Sequence, residues 1–393
     1  MNTFTLHAAQ TVNFRALPPL SLYIHIPWCV KKCPYCDFNS HASPEVFPEN
    51  QYVAALIRDL EQALPLIWGR KIYTVFFGGG TPSLLSGESV EELLRQVRML
   101  LPLAHDAEIT LEANPGTVEV QRFATYREAG VNRLSMGIQS FNDTHLQALG
   151  RIHSATGARN AIEIAQQHFS NINLDLMYGL PEQTVEQALQ DVATALSYTP
   201  QHLSCYHLTL EPNTRFHHQP PPLPDDEQTA DMQQNIEQLL AAQGYQHYET
   251  SAFARDHRRA KHNLNYWQFG DYLGIGAGAH SKLSFPDKII RQARVKLPQA
   301  YLSGVEQAAH IQSEHEISRN ELAFEFMMNA LRLNQGFDSS LFQERTSLPL
   351  NVMHRELELA EQKGLLIRDH LRITPTLLGQ RFLNDLLQLF LIS

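Results

Sequence analysis

Cys29, Cys33 and Cys36 stand in a C-x3-C-x2-C spacing within Ser21–Asn39, SLYIHIPWCVKKCPYCDFN. Thiolates are the usual protein ligands of iron–sulfur clusters, and burial and hydrogen bonding around the sulfurs tune the potential. Three thiolates on a four-iron cubane leave one iron without a protein ligand, open to a small molecule. Zinc is the competing use: a tetrahedral site takes four protein ligands, or three and a water, and His25 and His41 flank the triplet. A disulfide framework needs more cysteines than this chain has. Only Cys205 remains, in the apolar run HLSCYHLTL, where it reads as a buried core thiol. Such cysteine usage suits a reducing compartment.

Other residues with chemistry to offer fall at the ends of apolar runs. Phe77-Gly78-Gly79-Gly80-Thr81-Pro82 closes one of them. Successive glycines let the backbone approach a ligand to hydrogen-bonding distance, or simply make a tight turn. Glu112 ends a run in LEANP, Gln139 ends another in MGIQSF, and Asp175 lies within NLDLMYGLP. Polar groups set among apolar neighbours must be paired or face a wet site. Arg151 could pair a ligand carboxylate bidentately or neutralise Glu112 or Asp175. A structural ion pair is the alternative for each. Farther on, His262-Asn263-Leu264-Asn265-Tyr266-Trp267 puts an imidazole beside two aromatic rings. A neutral imidazole ligates haem iron and rings pack on the macrocycle; equally, the three could be core anchors. His25, His207, His217, His218 and His280 are possible ligands that read rather as structural, and the glycine run GIGAGAH (274–280) as a packed turn or a close approach to a ligand.

These residues need strands and helices to position them. Apolar runs LYIHI (22–26), YTVFF (73–77), EITLEA (108–113), RLSMGIQ (133–139), INLDLMY (172–178) and HLSCYHLTL (202–210) alternate with amphipathic stretches such as SVEELLRQVRMLL. Six such units predict an α/β fold, a partial (β/α)6 TIM-like barrel. Chemistry in such barrels gathers at the C-terminal ends of the strands, which puts the cysteines on that rim. The expected divisions are a leader over 1–20, the barrel over 21–245, a connecting β-rich segment with the HNLNYW motif over 246–313, and a helical, winged-helix-like domain over 314–393. Consecutive prolines in FHHQPPPLPDD predict a turn-rich stretch, followed by a helix over 226–243.

The cysteine spacing resembles the signature of the radical-SAM superfamily. The resemblance implies that the amino and carboxylate groups of S-adenosylmethionine (SAM) chelate the open iron of a [4Fe-4S] cluster. One electron then cleaves a carbon–sulfur bond to give a 5′-deoxyadenosyl radical. Within it, YIHIPWC, CPYCDFN, FFGGGTPS, EANPGT, RLSMGIQSF, LGRIH and DLMYGLPEQT resemble the HemN/HemW group, oxygen-independent coproporphyrinogen oxidase and its relatives. That resemblance implies Cys29, Cys33 and Cys36 as cluster ligands. It implies Tyr23, Tyr35, Gly79, Gly80, Thr81, Glu112, Gln139, Arg151 and Asp175 as lining for SAM. Two departures separate the chain from the oxidase: Phe38 stands where the oxidase has a further cysteine, and the stretch before Tyr23 is shorter. The motif ending in Tyr266-Trp267 matches HNxxYW of the haem-binding branch. The implied function is that of a haem chaperone, with His262, Tyr266 and Trp267 at the haem; the alternative is the oxidase, which decarboxylates coproporphyrinogen III to protoporphyrinogen IX.

The same resemblance implies haem as cargo, an acceptor haem protein such as a respiratory one, and a flavodoxin- or ferredoxin-type electron donor. It leaves open transient membrane contact and the choice between monomer and homodimer. At 393 residues, 43% apolar and 18% charged, the chain is ordinary globular material with room for two domains. A net charge of −10 argues against a nucleic-acid partner. Neither a secretory signal nor a spanning apolar stretch is read, so the expected compartment is the cytoplasm.

Overall fold

The computed structural model describes residues 12–116 and 120–391. Residues 1–11 of the expected leader, and Thr117 of the EANPGT motif, lie outside the described residues. Six parallel strands form as expected: β1 (Leu20–Ile26), β2 (Ile72–Gly79), β3 (Leu103–Ala113), β4 (Arg133–Gln139), β5 (Ile172–Tyr178) and β6 (His202–His207). Each pairs with the next in chain order, from β1 through β6, as successive βα units dictate.

The strands carry a period-two code that positions the site. Leu20, Leu22, Ile24 and Ile26 of β1 pack outward in the main core, while Ser21, Tyr23 and His25 point the other way. Likewise Ile109 and Leu111 of β3, Leu134 and Met136 of β4, and Leu174 and Leu176 of β5 join the core. Their alternates, among them Glu112, Ser135, Asn173 and Asp175, line the barrel interior. The helices Glu49–Ala63, Gly87–Leu100, Ala155–His168 and Val185–Ser197 cover the outside, burying residues at three- and four-residue spacing.

The segment 246–313 does more than connect. β7 (Gln246–Glu249) and β8 (Ala252–Ala254) extend the sheet beyond β6, while β9 (Asp271–Ile275), β10 (His280–Ser284), β11 (Ile289–Arg294) and β12 (Ile311–Glu316) extend it beyond β1. The result is one 12-stranded sheet with β12 and β7 at its edges, in which β1 and β6 do not pair and β9 runs parallel to β1. Within this β-rich segment the HNLNYW motif is helical, Lys261–Trp267. Gly270 follows, where a Cβ would lie 1.9 Å from Asn265 Oδ1.

Two local expectations are corrected. Part of the turn-rich stretch forms a single helical turn, Arg215–His218, because Thr214 caps it by accepting from His217 N–H; only the prolines beyond stay irregular. Helix was expected from Glu314, but Ile311–Glu316 pairs with β11 and the helix begins at Arg319. Ser318 and Glu321 close a capping box there. The C-terminal unit then has its own core of Phe326, Phe337, Phe342, Leu357, Leu366 and Ile373. Its order of helix His354–Gln362, strand Leu366–Arg368, strand Arg372–Pro375 and helix Leu377–Arg381 follows the winged-helix-like pattern. Among the described residues no helix is long and apolar enough to cross a membrane.

Candidate functional site

The fifteen residues expected at the cluster, SAM and haem line one cavity of about 680 Å³ that runs from the C-terminal rim of the barrel into its interior. The loop bearing the three cysteines leaves β1 and is pinned at its base, where Trp28–Cys29 pairs in parallel with His41–Ala42. Ser43 N–H donates to Cys29 O, and Cys36 N–H to Cys33 O. All three thiols are half-buried and none is in a disulfide. Burial pushes the Cys29 and Cys36 thiols up, partly offset at Cys29 by Thr81 and Ser40 and at Cys36 by Ser40.

The flanking histidines are committed elsewhere, which answers the zinc alternative. His25 Nδ1 bonds Tyr23 OH at 3.1 Å and its Nε2 bonds Asn39 O at 2.9 Å. His41 Nε2 bonds Asn39 Oδ1 at 3.3 Å.

The glycine loop closes against this base. Gly80 N–H donates to Ile26 O at 2.7 Å, and a Cβ at Gly80 would lie 2.5 Å from Trp28 O. Gly79 has φ +115°, and its Cβ would strike the His25 ring at 2.6 Å. Next in line, Thr81 Oγ1 accepts from Asn114 Nδ2 at 3.1 Å.

Arg151 departs from expectation: it pairs with neither Glu112 nor Asp175. One of its Nη atoms donates to Asn114 Oδ1 (2.6 Å) and Gly137 O (2.8 Å), and the other lies 3.7 Å from Cys33 Sγ. Thr81, Asn114, Arg151 and Cys33 are thereby wired together. The cation whose charge acts on both acids is Arg133, buried at the start of β4.

Asp175 accepts from Asn173 Nδ2 (2.7 Å) and Ser135 Oγ (3.1 Å). Burial raises its carboxyl in spite of those bonds. Glu112 is pushed up to about 8 by burial and by Asp175, against the opposing pull of Gly79 N–H and Arg133. Gln139 ends β4 at φ 68°, where the pairing with β5 slips in register and turns the chain at the rim. Tyr35, also raised by burial, neighbours Arg151 and Cys33.

The HNLNYW helix sits at the other end of the interior, as a floor. His262 N–H donates to Glu108 Oε1 at 3.3 Å, and its ring stacks on Phe76 with centroids 4.9 Å apart. Thr74 Oγ1 donates to Ser21 Oγ and so accepts from His262 Nδ1–H at 2.7 Å. The Nε2 lone pair then faces Tyr266 OH at 3.2 Å. Burial lowers this imidazole to about 3, so it is neutral with both nitrogens engaged. The Arg332 guanidinium of the C-terminal unit lies 4.3 Å over the Trp267 ring, whose Nε1 has no partner among the described residues.

Sequence reasoning did not nominate Arg133, Ser135, Asn173, Ser204 or Tyr206, all of which line the cavity, as does His207, which it had read as structural. The alternation of polar and apolar residues along β4, β5 and β6 was the available signal. Asn114 stood inside EANP without a stated role.

A cysteine loop following the first strand of a partial barrel, a glycine cradle after the second, and two acids lining the same cavity define a radical-SAM protein. The family model of the radical SAM superfamily matches residues 23–195, and that of the HemN C-terminal domain residues 317–382. The chain is 49% identical over 379 residues to the heme chaperone HemW of Escherichia coli, covering 95% of this chain and 99% of that protein. It is 48% identical to heme chaperone HemW of Haemophilus influenzae (95% and 98% covered). Among solved structures it resembles coproporphyrinogen III oxidase HemN of Escherichia coli, with TM-score 0.81 and 26% identity over 95% of this chain and 90% of that one. The chain belongs to the HemW family.

Superfamily membership implies a [4Fe-4S] cluster and SAM. The residues present fit both. The three half-buried thiols are soft donors suited to iron–sulfur, and the glycines leave a cradle that a Cβ would fill. The paired acids Glu112 and Asp175 suit a ligand with cationic groups.

A pH dependence follows. Because the folded Glu112 carboxyl lies above its ordinary 4.5, its contribution to stability is present at low pH and is lost as pH rises from 4.5 to about 8. A cationic ligand favours the ionised form. SAM affinity should therefore strengthen between about pH 6.5 and about pH 9, and flatten in Glu112→Gln, when followed by equilibrium dialysis. Equal pH profiles for the two proteins would remove Glu112 as a charge partner.

Proposed function

We propose that this chain is a haem chaperone that binds haem at the cavity and passes it to an acceptor haem protein. The observation that carries the reading is that the HNLNYW motif lines the same cavity as the three cysteines. It is joined by the names of the relatives at 49% and 48% identity, against 26% to the oxidase.

Cys29, Cys33 and Cys36 would hold the cluster; Tyr23, Tyr35, Gly79, Gly80, Thr81, Glu112, Gln139, Arg151 and Asp175 would hold SAM. When bound, the pair supplies reductive carbon–sulfur cleavage, fed by a flavodoxin- or ferredoxin-type donor. The chain's own residues do the rest. Arg151 holds positive charge against the Cys33 sulfur and fixes Asn114, and through it Thr81. The Gly80–Ile26 bond and the Trp28–Cys29 bridge keep loop and cradle in register. His262, Tyr266 and Trp267 close the floor and keep water from entering beneath. The acceptor is a haem protein, respiratory in kind, met in the cytoplasm or at a membrane surface by a monomer or homodimer.

Anaerobically reconstituted protein, titrated with haem and separately incubated with coproporphyrinogen III, SAM and a low-potential reductant, tests this. Stoichiometric haem binding without decarboxylation is expected. Protoporphyrinogen IX formed at enzymatic rates would replace the chaperone by the oxidase.

A further inference from the structure

His207 ends β6 at the cavity mouth, on the rim that also carries the cysteine loop. Its ring stacks on Tyr178, with centroids 5.4 Å apart and planes at 21°. Gly179, at φ +69°, leaves room for it: a Cβ there would come within 2.8 Å of His207 Cδ2. Among the described residues neither ring nitrogen makes a hydrogen bond, although the ring is held on one face. Partial burial lowers its pKa, against a smaller opposing effect of Asp226, so the imidazole is neutral near pH 7. A neutral imidazole held by a stacked ring and with a nitrogen uncommitted can ligate a metal.

Around it the mouth is apolar. Val30, Phe38, Ile152 and Tyr206 line the cavity, yet they are 56%, 63%, 59% and 42% exposed. Large apolar side chains left open around a single cavity mark a binding surface. A cavity of about 680 Å³ is sized for one organic ligand. With SAM held against the thiols, the glycine loop and the two acids, a second ligand as large as a macrocycle would rest at the mouth. His262 lies beneath both, its Nε2 capped by Tyr266 OH.

We propose that His207 is the protein ligand to the iron of the haem cargo, with the macrocycle resting on the exposed rim of Val30, Phe38, Ile152 and Tyr206. This rests on the haem-carrier reading above and assigns its iron ligand. The exposed rim would leave the bound macrocycle within reach of an acceptor.

Ferric haem is titrated into the full-length, cluster-reconstituted chain and into His207→Ala, His207→Gln and His262→Ala, following the Soret band and the low-spin electron paramagnetic resonance signal. Both His207 variants should lose the histidine-ligated signature while keeping cluster absorbance, and added imidazole should restore it in His207→Ala. His262→Ala should keep the signature. A parent-like spectrum and affinity in both His207 variants would overturn the assignment, as would loss confined to His262→Ala. If the parent protein itself takes up no haem, the carrier reading fails instead.

Discussion

Replacing Cys33 with Ser is expected to abolish cluster assembly, leaving a protein that folds but stays colourless after anaerobic reconstitution and no longer retains SAM. Serine keeps the size but offers a hard, protonated hydroxyl in place of a soft thiolate, and three protein ligands leave no spare. Cys33 is also the cysteine touched by Arg151, so its loss leaves that half-buried guanidinium with less negative charge nearby. Iron and sulfide analysis with Mössbauer spectroscopy reads the result. A full complement of cluster in Cys33→Ser would show that the three thiols are not its ligands, and the radical-SAM chemistry assigned to this rim would fall with them. Because His207 lies outside the thiol set, the variant should still bind haem.

Asp59→Asn should cost on the order of 3–5 kcal/mol, the usual loss when one partner of a buried ion pair is removed. Asp59 and Arg294 are both fully buried. The Asp59 carboxylate accepts from Arg294 Nη2 at 3.2 Å, His310 Nε2 at 3.0 Å, Tyr301 OH at 2.8 Å and Gly276 N–H at 3.1 Å. Asparagine has one acceptor oxygen where four donors converge, and it leaves the guanidinium charge without a counterion. Urea unfolding measures the loss, and a change below about 1 kcal/mol would mean that water or rearrangement replaces the carboxylate.

The pH dependence has a definite sign. Burial pushes this carboxyl up, but Arg294, His310 and Gly276 N–H together outweigh it and hold it below the ordinary 3.8. The stabilisation is therefore complete above that value and disappears as pH falls through the lower folded one; Asp59→Asn should lack this acid-dependent loss. The effect should reach the site. Gly276 and Ala277 dock on the helix Glu49–Ala63, Tyr52 OH donates to His25 O, and Asn39 Nδ2 donates to Ala277 O. Loosening β9 to β12 thus loosens Tyr23 and the cysteine loop together.

Much of this was legible along the chain. Strands β1 to β6 showed as apolar runs, and the polar residues between them marked the interior in advance. The partners of Arg151 within the chain were not legible, because spacing places a residue on a rim without saying which neighbour its guanidinium meets. Arg133 was overlooked because the first residue of a strand looks like a boundary. The HNLNYW motif was read correctly as an imidazole beside aromatic rings. Its depth was not visible, nor were the bonds to Thr74 and Tyr266 that occupy both nitrogens. His207 read as structural, since its seat is made by Tyr178 at the end of the neighbouring strand and Gly179 just after it.

Read alone, the chain determined its local chemistry: soft ligands three and two residues apart, glycines where backbone must come close, and a two-residue alternation sorting wall from interior. These are properties of neighbours in sequence, set by covalent spacing and side-chain direction. Tertiary structure decided which groups are committed and which are left over. Arg151 went to Asn114 and Cys33, His262 to Thr74 and Tyr266, and His25 to Tyr23 and Asn39, while His207 remained without a hydrogen-bond partner among the described residues. Burial makes that difference, because a polar group removed from water must find its partner across the fold, and only the assembled sheet brings those partners within reach.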